Sequence, residues 1–374
     1  MQKQRDVFLS ALCWQGVETG VYPGAVAALA WNRKRTWKKV VTSCGYTQKG
    51  GKGVAVSADT FFDLASLTKP LCTSLGFVFL EGHTGLDPAT PLADISCCRH
   101  YPSQWRNIRL ADLLSHSSGL PAYREYYKAF APMQSKGNKE KLFDLIKQEQ
   151  LDYAPGVQCI YSDLGYMLLG RILEEMSGRS LDTFFKHAIA GPCGLAADIG
   201  FRPIRSVEET NTASAEQIAA TEECPWRQRL LVGEVHDEHA WLMGGIGGHA
   251  GLFGRAGAVA ELCMLLVDIW HGRAVHPNLA ANLVRKALSY KTEAGLWALG
   301  FDRPTPGRSS SGDYFSPSSV GHLGYAGTSF WMDLEREIVV VLLTNRVHPS
   351  RENKKIQQFR PYFHNRIMQE LEMN

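Results

Sequence analysis

Three short stretches carry residue types whose spacing can do chemistry. The first is Ser66-Leu-Thr-Lys69, at the change from Phe61-Phe-Asp-Leu-Ala65 to an amphipathic run. S-x-x-K puts a hydroxyl and an amine one turn apart on one helical face, so the amine lies beside the hydroxyl whose proton must leave during attack. Pro70 marks a helix start, where outward N–H groups can stabilise an oxyanion. The second is Tyr161-Ser162-Asp163, preceded by Ala154-Pro-Gly156 and followed by an apolar helix. A phenol near an ammonium is stabilised as phenolate and can take the serine proton; taken singly, Tyr161 reads as a packed aromatic. The third is Gly321-His322-Leu323-Gly324. Its small residues let a substrate backbone lie alongside, and its histidine can donate a hydrogen bond or a charge.

Two histidine-bearing segments compete for attention. Glu234-Val-His236-Asp237-Glu238-His239, with His249 nearby, contains zinc-ligand types. Neither H-E-x-x-H nor a cysteine-paired pattern is present, so it reads as a loop hydrogen-bond network and no metal is expected. His116, inside Ser115-His-Ser-Ser-Gly119, reads as a structural histidine tying a helix end to a turn.

The elements that must position these residues follow from periodicity. Gly24–Trp31 and Lys39–Tyr46 read as a strand hairpin, so the chain is expected to open with sheet. From Thr68 the pattern turns helical, with Leu71, Leu75, Val78 and Phe79 on one face up to the turn at 81–85. Segments 109–114, 139–148 and 164–176 also carry helical spacing. Gly244–Gly251 is a glycine-rich loop, 259–270 a helix, 328–332 and 337–344 strands, and 355–371 a final helix. A β-rich start, a helical middle and a β-plus-helix end predict an α/β (α+β) fold with both termini in one sheet domain and an all-helical domain inserted. The expected division is 1–65 with 240–374 for the sheet domain and 66–239 for the mainly helical one.

Composition bounds the rest. The 374 residues are 45 % apolar and 21 % charged, with 35 Gly and 17 Pro, which excludes disordered and fibrous classes. Forty Lys and Arg against 37 Asp and Glu are too balanced and dispersed for a nucleic-acid partner. No apolar run reaches the roughly 18 to 20 residues of a membrane span, and the start lacks a signal-peptide core. Nine cysteines, never spaced C-x-x-C, imply neither a disulfide framework nor a thiolate zinc site. A cytoplasmic chain is expected as written, or a periplasmic or envelope-associated one if a signal has been removed.

Together and in this order, Ser66-x-x-Lys69, Tyr161-Ser-Asp163 and His322-Leu-Gly324 resemble the three motifs of the penicillin-recognising serine hydrolases: class C β-lactamases, DD-peptidases, and esterases and D-amino-acid peptidases of the same fold. Leu113–Pro121, Pro155-Gly156, Gly248–Phe253 and Gly324–Ser329 also look like family segments. The resemblance implies an antiparallel sheet flanked by helices, a helical domain, and a site in the cleft between them. It implies Ser66 as acylated nucleophile, Lys69 and Tyr161 as the proton-handling pair, and an oxyanion hole from the N–H groups of Ser66 and Tyr325. It also implies no metal or organic cofactor.

Two departures matter. Asp163 stands where the class C enzymes carry Asn, and His322 where they carry Lys. A histidine near its ordinary pKa of about 6.5 is mostly neutral at pH 7, and Asp163 facing Lys69 would hold it protonated and repel a substrate carboxylate. Weaker anion recognition than in a β-lactamase is therefore expected. The reading is a serine hydrolase cleaving a peptide or β-lactam-like amide, with cell-wall-derived peptides as one source. Its alternatives are a carboxylesterase on the same scaffold, and a penicillin-binding or sensor module that is acylated without turning over. A small-molecule or peptide substrate is the expected partner.

Overall fold

The computed structural model describes residues 2–373 apart from 51–52, 136, 205–216 and 296. The chain opens with a helix, α1 (Gln2–Glu18), and not with sheet. Its buried positions 5, 9, 12, 13 and 16 follow a helical stripe, but Arg5 and Gly16 sit in that stripe and break its apolar reading. The Arg5 guanidinium lies 4.5 Å over the Trp31 ring, which gives a charged side chain a place on a buried face.

The hairpin β1 (Gly24–Arg33) and β2 (Thr36–Gly45) follows as expected. Its turn residues Lys34 and Arg35 have φ of 54° and 63°, the left-handed pair that matches strand twist in a two-residue hairpin loop. Next come β3 (Phe62–Asp63), the turns that hold Ser66, and α2 (Leu75–Thr84). The middle carries α3 (Leu110–Leu114), α4 (Asn138–Ile146), α5 (Asp163–Ser177) and α6 (Leu181–Phe184). It is not helical throughout: β4 (Ile199–Phe201), β5 (Glu223–Cys224) and β6 (Arg229–Leu230) interrupt it before α7 (Glu238–Leu242). The last part holds β7 (Leu252–Gly254), α8 (Ala256–Trp270), α9 (Ala281–Ser289), β8 (Val320–Leu323), β9 (Ser329–Asp333), β10 (Ile338–Thr344) and α10 (Ile356–Met373).

The main sheet is antiparallel in the order β2-β1-β10-β9-β8. All seven residues of β10 are buried, because its two faces serve two cores. Val339, Val341 and Leu343 pack with Leu262 and Leu266 of α8 and the helical middle. Val340 and Leu342 pack with Leu9 of α1 and with Phe363 and Ile367 of α10. Each such fully buried side chain contributes about 1.5–3 kcal/mol, so the strand that carries β9 and β8 is clamped from both sides. A second sheet, β3-β7-β4, joins the approach to Ser66 to the glycine-rich loop and to the middle segment. All nine cysteines are free thiols, and no described helix is long and apolar enough to cross a membrane.

Candidate active site

Ser66 sits in a tight 3-10 turn, Ala65–Leu67, followed by the π-type turns Lys69–Ser74 that lead into α2. The S-x-x-K spacing therefore works through a tight turn in place of a regular helical one, and Lys69 Nζ still reaches Ser66 Oγ at 2.9 Å. Ala65 is forced to φ = 48°, a conformation that costs a residue with a Cβ of order 1–3 kcal/mol. Its neighbours hold it there. Asp63 Oδ1 accepts the Ala65 N–H at 2.8 Å, and Thr68 Oγ1 donates to Ala65 O at 2.7 Å. The other Asp63 oxygen accepts the His236 N–H at 2.7 Å, so the loop read from the sequence as a hydrogen-bond network braces the nucleophile's turn.

Lys69 is fully buried. Its ammonium meets Asp163 Oδ1 at 2.6 Å and donates to His249 O at 3.0 Å. Burial opposes its charge, but Asp163 and then Tyr161 outweigh burial and hold its pKa above the ordinary lysine value. The His249 carbonyl arrives on the glycine-rich loop, which lies directly on α5. A Cβ on Gly248 would stand 2.3 Å from Tyr166 O and 2.7 Å from Gly170 Cα, so neither glycine accepts a side chain. Thr73 Oγ1 donates to Gly248 O at 2.6 Å and fixes the loop further.

Tyr161 and Asp163 flank Ser162, the N-cap of α5, whose side chain accepts the Gly165 N–H; such caps contribute about 1 kcal/mol. The Lys69 ammonium is 5.0 Å from the Tyr161 ring centroid. Burial raises the Tyr161 pKa, Lys69 lowers it and Asp163 raises it, with a net upward shift. The phenol is therefore the resting form. His116 is buried behind it, 4.4 Å from its ring centroid, and its Nδ1 accepts the Ser162 N–H at 3.1 Å. Burial, then Lys69, keeps His116 neutral, as a histidine that ties the end of α3 to the Tyr161 segment.

His322 is buried on β8, its pKa pushed down to about 3 by burial and then by Lys69. It supplies a neutral ring and no charge. Beyond it the chain turns at Gly324 and Tyr325. A Cβ on Gly324 would stand 1.9 Å from Thr328 Oγ1 and 2.7 Å from Leu64 O, which is why glycine is needed where this turn meets the approach to Ser66.

The structure thus gathers Ser66, Tyr161, Asp163, His322, Gly324 and Tyr325 around one cavity of about 540 Å3, with Lys69 behind Ser66. Trp297, Arg346 and Arg360 also line it and were not singled out in the sequence. One signal for Arg360 was available: it interrupts the buried stripe Ile356, Phe359, Phe363, Ile367 of α10. The expectation of weak anion recognition rested on Asp163 and His322 and took no account of these arginines. Arg346 and Arg360 form no salt bridge among the described residues and donate to backbone carbonyls, so two guanidiniums without a carboxylate partner stand at the cavity beside its acidic residues. Among the histidines of the competing loop, His236 bonds Glu222, His249 bonds Asp237, and His239 accepts the Tyr127 N–H. No group of three or more potential ligands is arranged around a common metal position among the described residues.

A family model described as "Beta-lactamase" matches residues 9–360. A protein of Escherichia coli (strain K12) named "Putative D-alanyl-D-alanine carboxypeptidase" is 32 % identical over 314 residues, covering 79 % of this chain and 71 % of that protein. Two solved structures share the fold at a TM-score of 0.70. One is "EstCE1, a hydrolase with promiscuous acyltransferase activity", 19 % identical and covering 94 % of this chain and 97 % of the other. The other is a "Novel Penicillin-Binding Protein (PBP) Homolog from Caulobacter crescentus", 18 % identical with 96 % of each chain covered.

Proposed function

The chain belongs to the beta-lactamase family and is a serine hydrolase; from that premise we propose that it cleaves a peptide amide next to a carboxylate, as a carboxypeptidase does, through an acyl-enzyme on Ser66. The observation that carries the reading is the contact chain Ser66–Lys69–Asp163, buried at the lysine in its middle and open to the cavity at both ends. Ser66 Oγ attacks the carbonyl carbon while its proton passes to the Lys69 and Tyr161 pair. That proton then goes to the leaving amine as the amide bond breaks, and water repeats the sequence to release the acid. The N–H groups of Ser66 and Tyr325 are the donors assigned to the oxyanion. The positive charge of Arg346 and Arg360, held by backbone carbonyls and by no carboxylate among the described residues, supports a substrate carboxylate, and the Escherichia coli relative's name points the same way.

The test is a comparison of substrates read together with intact mass. Faster turnover of a D-Ala-D-Ala-ended peptide than of a neutral short-chain ester is expected, with a transient Ser66 adduct after exposure to a β-lactam. The reverse preference selects a carboxylesterase, which the neutral His322 favours. A β-lactam adduct that never clears selects a binding module.

The proton-handling pair gives a second expectation. Lys69 and Tyr161 are both held protonated through neutral pH, so the form able to accept the Ser66 proton is a minor one. kcat/KM on a neutral ester should climb with pH, close to tenfold per unit while that form stays scarce. Asp163→Asn removes the charge that raises both groups, while burial continues to lower Lys69. The rising limb should therefore move to lower pH. A limb that stays in place or moves up rules out this proton assignment.

A further inference from the structure

We infer that Arg360 is a positioning residue for the oxyanion donor: it polarises the Gly324–Tyr325 peptide group, whose N–H points to the reacting carbonyl. The inference rests on the acyl-enzyme reading above and extends it to a side chain on a different element. Arg360 Nη2 donates to Gly324 O at 2.8 Å and to Thr328 O at 2.9 Å. Gly324 C=O and Tyr325 N–H belong to one planar amide with shared electrons. A charged donor on the oxygen draws density from the nitrogen side and makes the N–H a stronger donor, as in any hydrogen-bonded chain in a low-dielectric site.

The arginine is a costly way to hold a turn. It is 7 % exposed, and burial, then Arg346, works against its charge. No carboxylate forms a salt bridge with it among the described residues, so no acidic partner draws its donors away from this turn. Arg346 secures the next carbonyl, with Nε donating to Tyr325 O at 2.9 Å and its guanidinium 4.6 Å over the Tyr325 ring. Arg346 is itself held by Asn353 O at 2.8 Å and Arg351 O at 3.0 Å. The turn is also registered to the nucleophile. Thr328 O accepts the Gly324 N–H at 2.7 Å, and Thr328 Oγ1 donates to Leu64 O at 3.1 Å, two residues before Ser66. The two assigned oxyanion N–H groups are thus tied to each other by one threonine, and one of them is backed by a guanidinium.

The experiment compares an ester with its thionoester of the same acyl group, because an oxyanion site strengthened by N–H donors penalises sulfur. In Arg360→Met, kcat on the ester should fall at least ~10-fold with KM within about threefold, the scale of losing part of one donor. The oxygen-over-sulfur preference should shrink by a similar factor, and Arg360→Lys, which keeps a charge and a donor, should recover part of both. A merely structural role would lower thermal stability and slow both substrates equally; that result, or an unchanged preference, overturns the inference. If Arg360→Met is recovered only as aggregate, Arg360→Lys carries the test alone. Its acyl-enzyme carbonyl stretch should lie at higher frequency than in the unaltered enzyme, and an identical stretch overturns the inference. Intact mass separates the layers: no Ser66 adduct in the unaltered enzyme defeats the acyl-enzyme reading, whereas an adduct with unchanged discrimination defeats only the role of Arg360.

Discussion

Ser66→Ala is expected to abolish turnover, by at least ~10³-fold, and to abolish covalent labelling by a fluorophosphonate while the protein stays folded. The side chain removed is one oxygen. Its loss leaves Lys69 with Asp163 and His249 O, so the cation stays paired and the turn keeps its bonds from Asp63 and Thr68. Melting temperature should therefore change little. The nearby serines have other duties: Ser115 Oγ donates to Ala111 O and Ser162 Oγ to Pro121 O, each at 2.7 Å. A peptide map that finds the label on either of them, or kcat within threefold of the unaltered enzyme, defeats the assignment.

Much of this arrangement was legible because it is local. The S-x-x-K pair, the Tyr161-Ser162-Asp163 motif ahead of an apolar helix, the hairpin at 24–46 and the strand pair at 328–344 each announce themselves within a few residues, and the order of the motifs along the chain pointed to the family. What stayed hidden depends on distant partners. No local rule predicts that Ala65 adopts φ = 48°, since the bonds that hold it come from Asp63 and Thr68, with His236 bracing Asp63. The carbonyl that meets Lys69 belongs to His249, 180 positions away, and backbone acceptors carry no residue signature. Arg5 in α1, with Gly16, and Arg360 in α10 were obscured for a related reason: an arginine within an apolar stripe does not read as part of the buried face. In α1 this concealed a whole helix, and in α10 it concealed a residue of the cavity. A charged residue at a buried helical position is better treated as a question about its partner than as evidence against burial.

Lys69→Met carries the second large effect. Methionine nearly matches the lysine stem, so the change removes the ammonium with little change in volume. Acylation should slow by at least ~10²-fold, the usual scale for a positioned proton-transfer group. Stability should also fall, because Asp163 loses its partner at 2.6 Å. Breaking a fully buried pair costs about 3–5 kcal/mol, but Asp163 keeps 20 % of its side chain exposed to water, so a smaller loss of about 1–3 kcal/mol is expected. The two losses have different causes and can be separated. Lys69→Met with Asp163→Asn removes the stranded charge and should recover most of the lost melting temperature while activity stays down. Recovery of activity along with stability would mean that Lys69 only holds the fold together. Activity within threefold in the single variant would leave Tyr161 as the sole base. The expected pattern, stability restored and chemistry still absent, assigns the ammonium to the proton path between Ser66 and the leaving group.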